Sequence, residues 1–96
     1  PLQTVEQMDH DTVFRCAFIV ESIQTRVSSK SQKKFAILMI SDGVERMELP
    51  IWPELYEEKA HLINENQLIY AVLQVDRREG DPRLSCRWLG DLTRAD

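Results

Sequence analysis

Eight of the chain's twelve basic residues fall in two short segments. Residues 24–35 hold Arg26, Lys30, Lys33 and Lys34 with no acid among them, and residues 77–88 hold Arg77, Arg78, Arg83 and Arg87 against Glu79 and Asp81. Guanidinium and ammonium groups gathered in this way suit phosphate binding, where protein cations replace condensed counterions. A solvated loop produces the same pattern, so the two segments acquire meaning only from where a fold puts them. The acids collect elsewhere, in residues 6–11, at Glu45 and Glu48, and at Glu54, Glu57 and Glu58, and the formal net charge is −4. That sign argues mildly against a strong general nucleic-acid binder, while the segregation predicts a polarised surface.

No residue set supports catalysis. His10 and His61 lack a neighbouring nucleophile, and Glu57 with His61 is an i, i+4 surface pair on a helix. Two-metal phosphoryl chemistry needs carboxylates converging on ions about 4 Å apart, whereas the acids here fall in turns and on a helix. Three glycines provide no phosphate cradle. Cys16 and Cys86 have no second sulfur or histidine within five positions, so neither a zinc site nor any other metal or cofactor is expected. Small buried hydrophobes in a reducing compartment is the favoured reading of both cysteines, ahead of a disulfide. No run approaches the roughly 18 apolar residues of a membrane span and no signal peptide opens the chain, so a cytoplasmic location is expected.

With 96 residues and 43% hydrophobic content, the chain has room for one core. The termini, Pro1 and Asp96, read as cut points, with residues 1–12 a loosely ordered polar leader or linker remnant, residues 13–92 the domain and residues 93–96 a tail. VFRCAFIVESIQTRV, Val13–Val27, is β-rich and too long to lie flat, which predicts a strand with a bulge midway. After a polar loop, KFAILMIS is apolar at nearly every position, as a strand covered on both faces would be. Asp42-Gly43 predicts a tight turn into a third strand at residues 44–52, with Met47, Leu49 and Ile51 on one face and Arg46, Glu48 and Pro50 on the other. Pro53 then opens a helix of about three turns, with Leu55, Lys59, Leu62 and Ile63 at helical spacing and Asn64 and Asn66 to close it. Strands at residues 67–75 and 83–89 follow, separated by turn formers at 77–82. Three strands, a helix and two strands is the element order of the OB-fold, an all-β, five-stranded Greek-key barrel with one helix between strands three and four.

Three segments carry a family likeness: FIVESIQTRV at 18–27, KFAILMISDGVERMELPIWPELYEE at 34–58 and VDRREGDPRLSC at 75–86. Together they make residues 17–89 resemble the OB domain near the C-terminal end of the bacterial DNA polymerase III alpha subunit. The middle segment is the most specific, since it keeps an Asp-Gly turn, an aromatic-Pro pair and a helix-starting Glu-x-Tyr in order. Phe18 and Leu73 stand where that family usually has glycines, and the loop after the first strand also lacks one. The resemblance implies a single-stranded nucleic-acid-binding module of a replicative polymerase whose catalytic centre lies in another part of a longer chain.

An OB barrel grips single strands on the face of strands two and three, between the loop joining strands one and two and the loop joining four and five. This fold therefore turns the two basic segments into jaws: Arg26, Lys30, Lys33 and Lys34 on one side, Arg77, Arg78, Arg83 and Arg87 on the other, with Arg46 on strand three. Phe35 and Trp88 are the best-placed aromatics for base stacking, whereas Phe14, Phe18, Trp52, Tyr56 and Tyr70 read as core or helix packing. Neutralising roughly four phosphates gives a salt slope of about −3 for single strands. The expected partners are single-stranded DNA and the remainder of the polymerase chain. The competing reading is an OB-fold protein-interaction module that contacts a replisome protein through Glu54, Glu57 and Glu58; an RNA-binding OB domain is a third.

Overall fold

The computed structural model describes residues 1–91; residue 92 and the expected tail at 93–96 lie outside them. Five antiparallel strands form one sheet: β1 (Val13–Val27), β2 (Lys34–Ser41), β3 (Arg46–Ile51), β4 (Leu68–Asp76) and β5 (Arg83–Gly90), in the order β3-β2-β1-β4-β5. A short helix, α1 (Pro53–Lys59), continued by a 3-10 turn (Ala60–Leu62), joins β3 to β4. The first half of β1 pairs with β4 and the second half with β2, so one long strand serves both wings of the sheet. The two edge strands, β3 and β5, come back against each other.

Curvature comes from bulges. The β1–β2 register shifts between Val20 and Ser22, leaving Glu21 as the extra residue where a midway bend was expected. A second shift on the other wing pairs Val72 with Trp88 but Leu73 with Cys86, leaving Arg87 extra. An added residue bends a strand and increases its twist. Phe18 and Leu73, which the resemblance sets at positions where glycines are usual, are both fully buried. The core uses their volume, and the bulges supply the bending that glycines would otherwise allow.

Period-two alternation sends Phe18, Val20, Ala36, Leu38, Ile40, Leu49, Ile51, Ile69, Leu73 and Leu89 into one core. Pro53 occupies the first turn of α1, where its missing N–H costs nothing. α1 has no fully buried residue; Leu55 and Tyr56 pack against the core, and the fully buried anchors, Leu62 and Ile63, come just after the helix.

The opening residues are more ordered than their polarity predicts. Leu2–Gln7 forms a 3-10 helix that buries Leu2 and Val5 in the core. Two long-range contacts hold it. The Leu2 N–H donates to Asp42 Oδ2 at 2.7 Å, and the Arg77 guanidinium donates to the carbonyls of Val5, Glu6 and Met8. The Val5 carbonyl also accepts the Met8 N–H that caps the turn, at 3.0 Å, and the arginine adds a cationic donor to the carbonyls at this helix end.

Candidate nucleic-acid interface

Strand register fixes the composition of the outer face, because successive side chains alternate between faces. On β2, Ala36, Leu38 and Ile40 are buried while Phe35, Ile37 and Met39 are only half-buried. The second strand is therefore covered by core on one face only, and its other apolar set looks outward. Arg26 of β1 lies opposite Phe35; Gln24 lies opposite Ile37, which pairs with Pro50; Ser22 lies opposite Met39, which pairs with Glu48.

Between this face and the β4–β5 turn runs an open groove of about 1040 Å³. Ile37, Met47, Glu48, Pro50 and Trp52 line one wall, and Asp76, Arg78, Pro82, Arg83 and Ser85 are among those lining the other. The β1–β2 loop, residues 28–33, prolongs the sheet one rung beyond Arg26 and Phe35, past the Trp52 end. Its Ser28 N–H donates to the Lys33 carbonyl at 2.9 Å, and Gln32 takes a left-handed conformation, φ 61°.

The eleven candidate residues divide by the company they keep. Lys30, Lys33 and Lys34 are exposed and form no ion pair among the described residues. Arg26 donates to Gln24 Oε1 at 3.0 Å, and Arg87 donates to Gln74 Oε1 at 3.0 Å. Three arginines hold carboxylates: Arg46 with Glu21 at 2.6 Å, Arg78 with Asp76 at 2.7 Å, and Arg83 with Glu79 at 3.1 Å. Arg78, through its guanidinium first and its backbone N–H second, holds the Asp76 carboxyl well below the usual carboxylate range. Arg77 is spent on the N-terminal carbonyls. Trp88 lies under the Lys59 ammonium, 5.2 Å from the ring centroid, and against Gly90, outside the groove lining.

One aromatic sits where the sequence reading did not put it. Trp52 is 52% exposed and lines the groove, its ring centroid 5.3 Å from that of Phe35. The signal was present: the period that turns Arg46, Glu48 and Pro50 outward turns Trp52 outward as well. The residue before a proline is also confined to extended backbone, which continues that period to the helix start.

Burial pushes the Cys86 thiol up to about 12 and raises that of Cys16, so neither is a thiolate near neutrality. No cluster of His, Cys, Asp and Glu among the described residues could hold a metal ion, and no helix among them is long and apolar enough to cross a membrane.

The fold and groove define a small antiparallel β module with an amphipathic cleft beside a lysine-bearing loop. Its homologues are alpha subunits of DNA polymerase III. The chain is 50% identical over 88 residues, 92% of its length, to the DNA polymerase III subunit alpha of Chlamydia pneumoniae. It is 46% identical over 93 residues, 97% of its length, to that of Chlamydia trachomatis serovar D, and 46% identical over 88 residues to that of Chlamydia muridarum. It spans 7 to 8% of the length of these relatives. No family model matches the chain.

Proposed function

We propose that this chain is an OB-type module of a replicative DNA polymerase, and that it binds single-stranded DNA along the β2–β3 face without catalysing a reaction itself. The strand order β3-β2-β1-β4-β5, with edges β3 and β5 in contact and a helix between β3 and β4, supports the OB reading. The observation that carries the functional reading is the groove itself. It runs between that face and the β4–β5 turn, with three lysines that form no ion pair among the described residues in and beside the loop at its Trp52 end. Polymerisation belongs to the longer chain, a DNA-directed polymerase acting in the cytoplasm, and this module would hold template near that active site.

Within this reading, Lys30, Lys33, Lys34 and Arg26 neutralise phosphates. Arg46, Arg78 and Arg83 can add to them only by exchanging a carboxylate for a phosphate, and Arg87, bonded like Arg26 to an amide, lies outside the groove lining. The paired guanidiniums and the exposed acids of α1, Glu54, Glu57 and Glu58, favour one competitor, a module that docks a replisome protein. Charge reversal separates the two. Lys30→Glu, Lys33→Glu and Lys34→Glu together should abolish binding of a labelled single-stranded oligonucleotide, whereas Glu54→Lys with Glu57→Lys should leave it intact. The opposite pattern would give the surface to a protein partner.

A further inference from the structure

We propose that Trp52, backed by Phe35, is a stacking subsite for one unpaired nucleobase, and that Arg26, on the same face, flanks it to receive the adjoining phosphate. This rests on the single-strand-binding reading above and assigns the place where a base is held. Four observations converge on it. Trp52 is a large aromatic left half in water inside a groove. Its backbone is fixed: it is extended at φ −71°, ψ 161°, Pro53 follows, and its carbonyl accepts the Tyr56 N–H at 2.9 Å in the first helical turn. Its ring is braced by Phe35, tilted 33° to it. The next rung, Ile37 with Pro50, extends an apolar floor away from the pair.

Charge selects the occupant. Arg26 is the register partner of Phe35 and its guanidinium is bonded to an amide, so it keeps its full charge for a phosphate. Lys30 and Lys33 lie in the loop just past this rung. The nearest carboxylate on β3, Glu48, lies two rungs away, opposite Met39. An apolar, braced ring with cations on one side matches the alternation of base and phosphate in a single strand. Stacking tolerates any base, since every base has a π-face, and a paired base has no free face to offer.

The chain's two tryptophans allow a direct test. In a Trp88→Phe background Trp52 is the sole indole, so its fluorescence reports the subsite alone. An oligothymidylate of about twelve nucleotides should quench it saturably, with the dissociation constant found by anisotropy, and a duplex of the same length should not. Trp52→Ala should weaken oligothymidylate binding about 5- to 150-fold while leaving the salt slope unchanged, and Trp52→Phe should restore part of the loss. An oligonucleotide of abasic sugar-phosphate should bind wild type and Trp52→Ala alike. If oligothymidylate binds but leaves Trp52 unquenched, and Trp52→Ala binds as wild type, the subsite is wrong while the module still binds single strands. If wild type binds no oligonucleotide at any salt, the reading beneath it fails as well. Quenching by poly-glutamate but not by oligothymidylate would give Trp52 to an acidic protein partner and overturn the proposal.

Discussion

The guanidinium of Arg78 grips the carboxylate of Asp76, Nη2 to Oδ2 at 2.7 Å and Nε to Oδ1 at 3.1 Å, on the wall of the groove. A cation read from the sequence as waiting for phosphate is thus already neutralised by an acid two positions earlier. Any phosphate that reaches it must displace that acid, and exposed pairs of this kind are weak enough to be displaced. The groove is therefore asymmetric, with lysines unpaired among the described residues at the Trp52 end and latched arginines at the β4–β5 turn.

Removing the latch should strengthen binding. Asp76→Asn keeps an oxygen for the Arg78 N–H but removes the charge, and Glu79→Gln does the same beside Arg83. Each is expected to raise single-strand affinity about threefold to tenfold and to steepen the salt slope by about 0.7, one phosphate's worth. Glu57→Gln on α1 serves as the control for a general change in charge and should change neither. Anisotropy titrations across a salt series read both quantities.

Arg77 should behave as a structural residue. Its guanidinium satisfies three carbonyls of the N-terminal turn that buries Leu2 and Val5. Arg77→Ala is expected to cost about 2 kcal/mol in urea unfolding, the scale of losing charged hydrogen bonds to part-buried acceptors. Lys33→Ala should leave the midpoint unchanged and lower DNA affinity instead. An Arg77→Ala protein of wild-type stability would show that the N-terminal turn does not depend on that arginine.

Asp42 links stability to pH. The backbone N–H of Glu45, then those of Leu2 and Val44, donate to its carboxylate and lower its pKa in the folded state. A carboxyl with a depressed folded pKa contributes stability above its unfolded value, near 3.9, and loses it as pH falls through the folded value. The urea midpoint should therefore drop as pH falls from about 5 toward 3, and Asp42→Asn should flatten that part of the profile. An identical acid slope in the variant would assign the dependence to other carboxylates.

Gly90 leaves room for Trp88. A Cβ there would run into the Trp88 indole ring, so Gly90→Ala should swing the ring out from beneath Lys59. The cost is expected to be about 1 kcal/mol, the size of a lost cation–π contact with some burial. Trp88 emission should shift to the red in a Trp52→Phe background; an unshifted spectrum would show that the ring tolerates the methyl where it lies.

Strand positions were legible because β-rich runs ended at clear punctuation. The first two strands fall at Val13–Val27 and Lys34–Ser41 as expected, and the other three agree to within two residues. The bulge at Glu21 followed from strand length alone. The helix is shorter than expected because Leu62 and Ile63 bury themselves through a 3-10 turn and an extended residue rather than a third α-turn. Less could be read where a side chain's partner is distant in sequence: Arg77 lies more than 65 residues from each N-terminal carbonyl it holds. Trp52 was misread for another reason. Bulk and hydrophobicity argue for burial, whereas the period of β3, continued to the residue before Pro53, turns the ring outward.

The central claim is that the unpaired lysines beside the β2–β3 groove bind the backbone of a single strand. Anisotropy of a labelled single-stranded oligonucleotide, titrated with the 96-residue chain from low to moderate salt, tests it most directly. The account predicts weak binding with a slope of about −3 in log K against log salt, from Arg26, Lys30, Lys33 and Lys34, and its loss when the three lysines become glutamates. Binding that ignores salt, or survives the reversal, would contradict it.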